Sequence, residues 1–275
     1  MQVATSIKQE LHITYDNAKT YLIADTLELA DGNGNAFRLY MDGGTTGYAT
    51  LNATAMAALY PSAAAHPYQA DSTMNGSRGS GTMHAALQFG GTAVHDESFT
   101  STVSRTKAKT GITEAAVTSS TCGSTVRWQI RGSSTMVAYR MHDVTLALYF
   151  LQYACAAQRA GNGVQAVACS NAEPYQGDSV TFAATLKPGA VWHGWYSDAA
   201  CTQLVSTAQS YTVVAGADLT LYALATVEGG TGLYVRDGGS YTEVQAVYQR
   251  VNGHYIEQTD ISGLLDTSIK YIRGT

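Results

Sequence analysis

Short runs in which apolar and polar residues alternate, separated by turn-forming residues, fill most of the first 160 positions of the chain. Alternation with a period of two predicts strands that bury one face, and three runs show it: residues 11–15, 21–29 and 126–131. The Gly- and Asn-rich residues 31–35 separate the second of these runs from residues 37–41, and this order predicts a β-hairpin.

Three longer segments of the same region predict other structures. Residues 52–65 are rich in alanine and begin with Asn52 as a candidate N-cap, so they predict a short helix. Residues 69–82 are polar and rich in Gly and Ser, which predicts an exposed loop. Residues 144–157 are almost wholly apolar, too short to span a bilayer, and compatible with a buried helix or a buried strand. Asp143 as an N-cap and the alanines at the end of this run favour the helix.

The pattern changes after a linker at residues 160–163. Strand-like runs follow, and the last part of the chain contains an internal repeat in which Tyr, Arg, Gly, Tyr and Glu recur fourteen residues apart. Each copy predicts a β-hairpin, and Asn252-Gly253 in the second copy is the residue pair that tight turns favour. A hairpin of this length buries no core alone, so we expect it to pack against a neighbour.

We therefore expect a mainly β, multi-domain protein. The predicted domains are a β-rich anchoring and assembly domain at 1–160, a small module at 164–227 and a tail of tandem hairpins at 228–275. The composition agrees, because 18 Tyr and 27 Gly accompany abundant Thr, and aromatic and β-branched residues favour strands whereas Gly favours the turns between them.

Residues 165–227 resemble the Listeria–Bacteroides repeat, also called the internalin B-type repeat. The resemblance lies in four motifs in order: GDSVTF from Gly177, WHGWYSDAAC from Trp192, YTV from Tyr211 and DLTLYA from Asp218. The family implies a small β-grasp-like module with an adhesive or spacing role, found on bacterial surface proteins and in phage structural proteins, and it brings no catalytic residue. Its core anchors would be Trp195, Tyr196 and Tyr222. Where the family usually ends in Ala-Lys-Trp, this chain has Ala-Leu-Ala at 223–225.

The low charge of the chain narrows the choice of partners. Only 13% of residues are charged, about half the usual ~25%, and the formal net charge is −5. Sequence-independent nucleic-acid binding needs a basic excess, so we expect no nucleic acid. No apolar run reaches the ~18 residues of a membrane helix, so we expect no membrane insertion. Residues 1–8 have no secretory signal, which suggests a protein made in the host cytoplasm and released by lysis, as virion components are.

The four cysteines, at 122, 155, 169 and 201, have neither CxxC spacing nor a zinc-like Cys–His spacing. They are interpreted as small apolar core residues. A bridge between Cys155 and Cys169 is the alternative, because their separation would close a hairpin.

Three further motifs suggest ligands but favour simpler interpretations. Residues 31–42 imitate a calcium loop yet have Ala36 at the sixth position, which favours a hairpin turn. Residues 76–81 are Gly-rich but lack the Gly-Lys-Ser/Thr ending of a phosphate-binding loop. His84, His95, Asp96 and Glu97 form a loose group without metal-binding spacing, so solvated side chains are favoured. We expect no metal, no cofactor and no catalytic residue.

Four tyrosines recur across the two C-terminal hairpins: Tyr234, Tyr241, Tyr248 and Tyr255. Mutual packing of cross-strand pairs is the simpler interpretation. The functional interpretation is a platform for sugars or a partner protein, because tyrosine is enriched at interfaces. These hairpins are also similar to the C-terminal ends of structural proteins of tailed phages.

Together these patterns predict a non-enzymatic structural protein of a bacteriophage virion, an accessory tail, baseplate, fibre or head-decoration subunit. It would assemble with other virion proteins and with copies of itself, as a trimer by analogy, and it would adhere to a host cell-surface glycan. A bacterial cell-surface adhesion module is the first alternative. A polysaccharide-degrading tail enzyme that uses Asp96 or Glu97 is the second.

Overall fold

The computed structural model is built almost entirely from strands, which confirms the expected mainly β, multi-domain fold class. It describes residues 4–14, 16–24, 28–31, 37–40, 46–78, 81–117, 121–132, 138–227, 234–237, 240–243, 248–251 and 254–257. Among these residues, no helix has both the length and the apolar character needed to cross a membrane.

The elements fall into three groups along the chain. The first group is β1 (Thr5–Thr14), α1 (Ala18–Tyr21), β2 (Leu22–Ala24), β3 (Glu28–Asp31), β4 (Phe37–Tyr40), β5 (Thr46–Leu51), α2 (Ala53–Leu59), β6 (Pro67–Arg78), β7 (Met83–Phe89), β8 (Thr92–Phe99), β9 (Arg105–Thr113), α3 (Glu114–Val117), β10 (Val126–Gly132) and β11 (Ala138–Gln152). The second is β12 (Cys155–Ala160), β13 (Val164–Cys169), β14 (Ser179–Leu186), β15 (Ala190–Tyr196), β16 (Leu204–Ser206), β17 (Ser210–Val214) and β18 (Leu219–Val227). The third is β19 (Tyr234–Asp237), β20 (Ser240–Glu243), β21 (Tyr248–Val251) and β22 (His254–Glu257).

The first group forms a sandwich of two antiparallel sheets. One sheet has the order β3-β4-β11-β6-β9, with β1 also paired to β11, and the other has the order β2-β5-β10-β7-β8. The long strand β11 organises the first sheet, because β6 pairs along one edge while β4 and β1 follow each other along the opposite edge. Trp128 and Ile130 of β10 meet Leu146, Leu148 and Phe150 of β11 in one buried cluster between the sheets.

Of the two structures left open for residues 144–157, the strand is the one observed and the favoured helix is wrong, because residues 144–152 belong to β11 and β12 begins at Cys155. Its inward positions Val144, Leu146, Leu148 and Phe150 are buried, as the period of two requires. The outer position Ala147 is also buried, since neighbouring strands cover both edges. Apolar residues on both sides of a central strand hide its alternation, so the run resembles a helix in the sequence.

The predicted exposed loop at 69–82 is also wrong, since residues 67–78 form the central strand β6. Its inward side chains are small or flexible, Ala70, Ser72 and Met74, and all three are buried. Its backbone pairs with β11 on one side and β9 on the other. Small inward residues and polar outward residues give a composition typical of loops, although the alternation is that of a strand.

Two further predictions hold in part. Helix α2 begins after Asn52, whose Oδ1 accepts a hydrogen bond from the Ala55 amide at 3.0 Å, but it ends at Leu59 instead of continuing to residue 65. The expected strand at 21–29 is divided between the two sheets, because β2 pairs with β5 and β3 pairs with β4. The β3–β4 pair is the predicted hairpin, and residues 32–36, 41 and 42 of the imitated calcium loop lie outside the described residues.

The second group forms a smaller sandwich with its own core. One sheet has the order β12-β18-β15-β16, with β12 parallel to β18, and the other has the order β13-β14-β17. Phe182, Trp195 and Leu221 lie fully buried between them. Strand β12 belongs to this core, so the change of core falls before Cys155 and not at the predicted boundary of 160–164.

A segment at 172–178 joins the two sandwiches through backbone hydrogen bonds. Gln176 donates its amide to the Leu151 carbonyl at 2.9 Å, and its own carbonyl accepts from the His66 amide at 3.1 Å. The Tyr175 ring packs on Phe150 of the first core with centroids 6.2 Å apart. The Ser62 hydroxyl of the first sandwich donates to the buried Asp178 carboxylate. The junction therefore combines an aromatic contact with backbone and side-chain hydrogen bonds.

The third group consists of two antiparallel hairpins, β19–β20 and β21–β22, at the positions that the 14-residue repeat predicts. Their turns at 238–239 and 252–253 lie outside the described residues.

Candidate functional site

The outer face of the six-stranded sheet carries a concentrated group of aromatic and polar side chains. Pairing places Lys8 opposite Tyr149 and Tyr149 opposite Gln69 in one row, and Glu10, Ala147 and Asp71 form the next row. Residues directly opposite each other in an antiparallel sheet project from the same side. We call the surface made by Lys8, Glu10, Tyr68, Asp71 and Tyr149 the tyrosine face.

Tyr68 reaches this face because the pairing of β6 with β11 shifts by one residue between Tyr149 and Phe150. Such a bulge puts an extra residue on one strand and re-aims its side chain. The Tyr68 and Tyr149 rings lie with centroids 6.4 Å apart and planes tilted by 58°. The Tyr68 hydroxyl is 2.8 Å from the Ser6 hydroxyl of β1. Strand β1 lies on the other side of β11 from Tyr68, and this hydrogen bond fixes the position of the Tyr68 ring across Tyr149.

The Tyr149 ring is held by Asp71. Its hydroxyl donates to Asp71 Oδ2 at 2.8 Å, and the Gly111 amide donates to Oδ1 at 2.8 Å. The hydrogen bond to Asp71, followed by burial, raises the pKa of Tyr149, so this hydroxyl keeps its proton at neutral pH. A carboxylate has about four acceptor sites. Asp71 therefore keeps acceptor capacity for a ligand after it has positioned the ring.

Charge at the tyrosine face is mixed and mainly acidic. Lys8 pairs with Glu10, both side chains are about half exposed, and the hydrogen bond to Glu10 raises the pKa of Lys8. Two rows along the sheet from the row of Glu10 and Asp71, the Asp143 carboxylate accepts a hydrogen bond from Asn75 Nδ2 at 3.0 Å. The same carboxylate lies 3.7 Å from His12 Nε2. An anionic ligand would meet these carboxylates, whereas the hydroxyl groups of a neutral ligand can donate to them.

Two carboxylates of this face, Glu10 and Asp71, flank the small residue Ala147. Two strand spacings separate their backbones by roughly 9–10 Å. Glu10 is paired with the Lys8 ammonium, and Asp71 accepts hydrogen bonds from the Tyr149 hydroxyl and the Gly111 amide, so both carboxylates already have partners.

The side chains predicted to anchor the second core occupy different positions. Trp195 is fully buried, packs edge-on against Phe182 with centroids 5.8 Å apart, and donates its Nε1 proton to the Gln209 carbonyl at 3.3 Å. Tyr196 and Tyr222 are not core anchors, which corrects the prediction. They are half-buried and directly opposite each other, because the strand period that turns Leu221 inward turns Tyr222 outward.

The C-terminal tyrosines never lie directly opposite one another in the hairpins. Tyr234 faces Glu243 and Tyr241 faces Arg236, and the second hairpin repeats the scheme with Tyr248 opposite Glu257 and Tyr255 opposite Arg250. The surroundings of these side chains lie outside the described part of the structure. Their role as interface aromatics stays a prediction.

The loose histidine and acid group of β7 and β8 is divided among separate partners. His84 Nδ1 lies 3.1 Å from the Ser98 hydroxyl, and Asp96 pairs with Arg131. His95 is buried with its Nε2 3.6 Å from Glu97 Oε1. In the described residues, no group of three or more potential ligands is close enough to hold a metal ion.

All four cysteines are free thiols, so the alternative of a Cys155–Cys169 bridge is not realised. Only Cys155 is fully buried, and burial raises the pKa of its thiol, with the neighbouring Cys169 adding to the shift. Cys122 and Cys169 are partly exposed but pack against the first and the second core, so the interpretation of the cysteines as core residues holds for Cys155 and in part for these two.

The tyrosine face was not predicted from the sequence patterns. Its signal was present in β1, where Ser6, Lys8, Glu10 and His12 alternate with Ile7, Leu11 and Ile13. The other half of the face lies on β6 and β11, the two segments predicted as loop and helix.

Comparisons with known proteins identify no family for the chain. No sequence family profile matches it, and no curated protein sequence matches it. Among solved structures, it is similar to the CBM36-1 domain of a multidomain xylanase from the hindgut metagenome of Trinervitermes trinervoides, with 10% identity, 50% of this chain and 95% of that chain covered, and a TM-score of 0.34. The carbohydrate-binding module CBM36 in complex with calcium and xylotriose shows 18% identity, 50% and 98% coverage, and a TM-score of 0.30. The N-terminal cellulose-binding domain of Cellulomonas fimi β-1,4-glucanase C shows 13% identity, 51% and 93% coverage, and a TM-score of 0.33. Similarities of this size give no argument about the activity of this chain.

Proposed function

We propose that this chain is a non-catalytic adhesion and assembly protein whose first sandwich binds a neutral surface carbohydrate on the tyrosine face. The observation that carries the proposal is the Tyr149–Asp71 pair, an aromatic ring fixed by its own hydroxyl beside a carboxylate with acceptor capacity left. A pyranose ring has C–H groups on its faces and hydroxyls around its rim. The C–H groups pack on the electron-rich face of an aromatic ring, and the hydroxyls donate to carboxylates.

The arrangement is pre-organised, which lowers the entropy lost on binding. Hydrogen bonds from Ser6 of β1 and Gly111 of β9, together with the bond between Tyr149 and Asp71, hold the two rings and the Asp71 carboxylate before a ligand arrives. Rigid aromatic side chains also lose less conformational freedom than long aliphatic ones. The acidic character of the face supports a neutral ligand over an acidic one.

The biological setting that we propose for this binding is a bacteriophage virion, with the chain as an accessory tail, baseplate, fibre or head-decoration subunit that assembles with other virion proteins and with copies of itself. The resemblance of residues 165–227 to surface repeats and the low charge support this setting. A bacterial cell-surface adhesion module would use the same face. Immunogold labelling of purified particles with an antibody against residues 165–227 distinguishes them, because a virion subunit labels the particle and a cell-surface module labels only cells.

The binding proposal is tested with the full chain and a panel of neutral oligosaccharides built from hexose, pentose and N-acetylhexosamine units. Isothermal titration should detect at least one binder, and Tyr149→Ala should weaken it about tenfold, the equivalent of about 1.4 kcal/mol. Tyr149→Phe keeps the ring but loses the bond to Asp71, so an intermediate loss is expected. Tyr196→Ala is the matched control, because it removes a half-buried tyrosine from the outer face of the other sandwich.

Two outcomes would overturn the proposal. No binding to any member of the panel, or equal weakening by Tyr149→Ala and Tyr196→Ala, would remove the tyrosine face as a carbohydrate site. Release of new reducing ends that Glu10→Gln or Asp71→Asn abolishes would show a hydrolase instead of a non-catalytic protein.

A further inference from the structure

The five-stranded sheet of the first sandwich also has a polar outer face, and its chemistry differs from that of the tyrosine face. Pairing places Arg127 beside Gln88 on one side and Thr50 on the other, and the next row contains Tyr48 and Gln129. We call the surface made by Tyr48, Gln88, Arg127 and Gln129 the arginine face.

Uncharged neighbours hold the guanidinium of Arg127 in place. Its central carbon lies 3.9 Å from the centroid of the Tyr48 ring, a cation–π distance. Its Nε donates to Gln88 Oε1 at 3.0 Å, and Gln88 is buried with an exposed fraction of 5%. Gln129 Nε2 donates to the Tyr48 hydroxyl at 3.1 Å and so fixes the ring below the guanidinium.

Among the described residues, no carboxylate compensates the charge of Arg127. In the part of the chain that the structure describes, no acidic side chain forms an ion pair with it, whereas Arg131 on the same strand is paired with Asp96. Within the same described residues, its two terminal nitrogens have no hydrogen-bond partner. The guanidinium is stacked on a ring and oriented through its Nε. Its two terminal nitrogens can therefore donate two parallel hydrogen bonds to one oxyanion.

We propose that Arg127 forms a second binding site, selective for an oxyanion on a surface polymer, on the sheet opposite the tyrosine face. The terminal nitrogens of Arg127 donate two parallel hydrogen bonds to one carboxylate or phosphate group. The hydroxyl of Thr50, in the same row, supplies an adjacent polar group. Arg131 on the same strand is already paired with Asp96, so Arg127 is the arginine of β10 whose charge the described residues leave for a ligand.

The site is independent of the neutral-sugar proposal, and the chemistry of the two faces predicts opposite ligand preferences. The tyrosine face has exposed carboxylates and repels anions, whereas the arginine face attracts them. One chain with both faces would contact a charged polymer and a neutral one from its two sides.

The test titrates the full chain with an oligogalacturonate as the carboxylate probe, a glycerol-phosphate oligomer as the phosphate probe and a neutral galacto-oligosaccharide as the uncharged control. We expect one or both anionic probes to bind and the affinity to fall as salt rises. Arg127→Gln should weaken this binding about tenfold or more, and Arg127→Lys should weaken it less, because the charge remains without the fork. Arg159→Gln is the matched control, since Arg159 donates to the Gln165 carbonyl on the other sandwich.

The anionic probe that binds identifies the source of the oxyanion. Tyr149→Ala should leave anion binding unchanged, so a failure of this site and a failure of the neutral-sugar site are separable. The proposal is overturned if neither anionic probe binds the wild-type chain, if binding does not depend on salt, or if Arg127→Gln and Arg159→Gln weaken it equally. Circular dichroism of each variant tests whether it is folded. The affinity of Arg127→Lys for the anionic probe gives a second measurement at the same position.

Discussion

Replacing Gly177 with alanine should uncouple the two sandwiches at their junction. Gly177 has φ of +96°, and an added Cβ would lie 2.5 Å from His66 Cδ2 and closer still to the carbonyl oxygen of Ala64. The Ala64 atom belongs to the backbone, so the clash cannot be relieved by rotating a side chain. The segment at 172–178 must therefore move away from the first sandwich.

The magnitude follows from two contributions. A non-glycine residue in the left-handed region costs about 1–2 kcal/mol. The displaced segment also loses its two backbone hydrogen bonds to the first sandwich, from His66 N to Gln176 O at 3.1 Å and from Gln176 N to Leu151 O at 2.9 Å, worth about 1 kcal/mol each. We expect Gly177→Ala to lower the free energy of unfolding by about 3–4 kcal/mol.

Gly189 supplies the control, because its φ is +74° and a Cβ there would meet nothing within 4 Å. Gly189→Ala should cost only the backbone contribution of about 1–2 kcal/mol. Urea unfolding followed by tryptophan fluorescence measures both variants, with Trp128 in the first core and Trp195 in the second as reporters. Losses that agree to within about 0.5 kcal/mol would refute the reasoning about the junction.

Two other predictions concern the cores. Burial lowers the pKa of His95, Glu97 opposes the shift and Lys109 adds to it. As the pH falls, His95 therefore takes up a proton in the unfolded chain before it does so in the folded one, and the free energy of unfolding should decrease as the pH falls from about 6.5 towards the folded pKa. His95→Leu should flatten this dependence of the free energy of unfolding on pH, measured by urea titrations at several pH values. An unchanged dependence would contradict the assignment to His95. Trp195→Ala should destabilise the second core by about 3–5 kcal/mol in the same assay, whereas a loss below about 1 kcal/mol would show that Trp195 is not its centre.

The sequence predicted the fold class well because period-two alternation is a local property. Val126, Trp128 and Ile130 alternate with polar residues, and the structure buries those three. The capping side chain of Asn52 and the C-terminal hairpins were predictable for the same reason, since each depends on a few adjacent residues.

The candidate site was not predictable, because non-local pairing creates it. Tyr68 and Tyr149 are far apart in the chain, and they meet only because β6 pairs with β11 and a bulge turns Tyr68 outward. The compositions of the two segments were also misleading. Strand β6 is more polar than a typical central strand, and β11 is so apolar that its alternation is hidden. The surroundings of Arg127, with Gln88 and Tyr48 beside it, likewise depend on which strands flank β10.

The most direct test of the central claim is a crystal structure of the full chain with the neutral oligosaccharide that binds it most tightly. We expect a sugar ring stacked on Tyr149, with a hydroxyl within hydrogen-bond distance of the Asp71 carboxylate. A sugar bound elsewhere, with Tyr68 and Tyr149 left in contact with solvent, would contradict it.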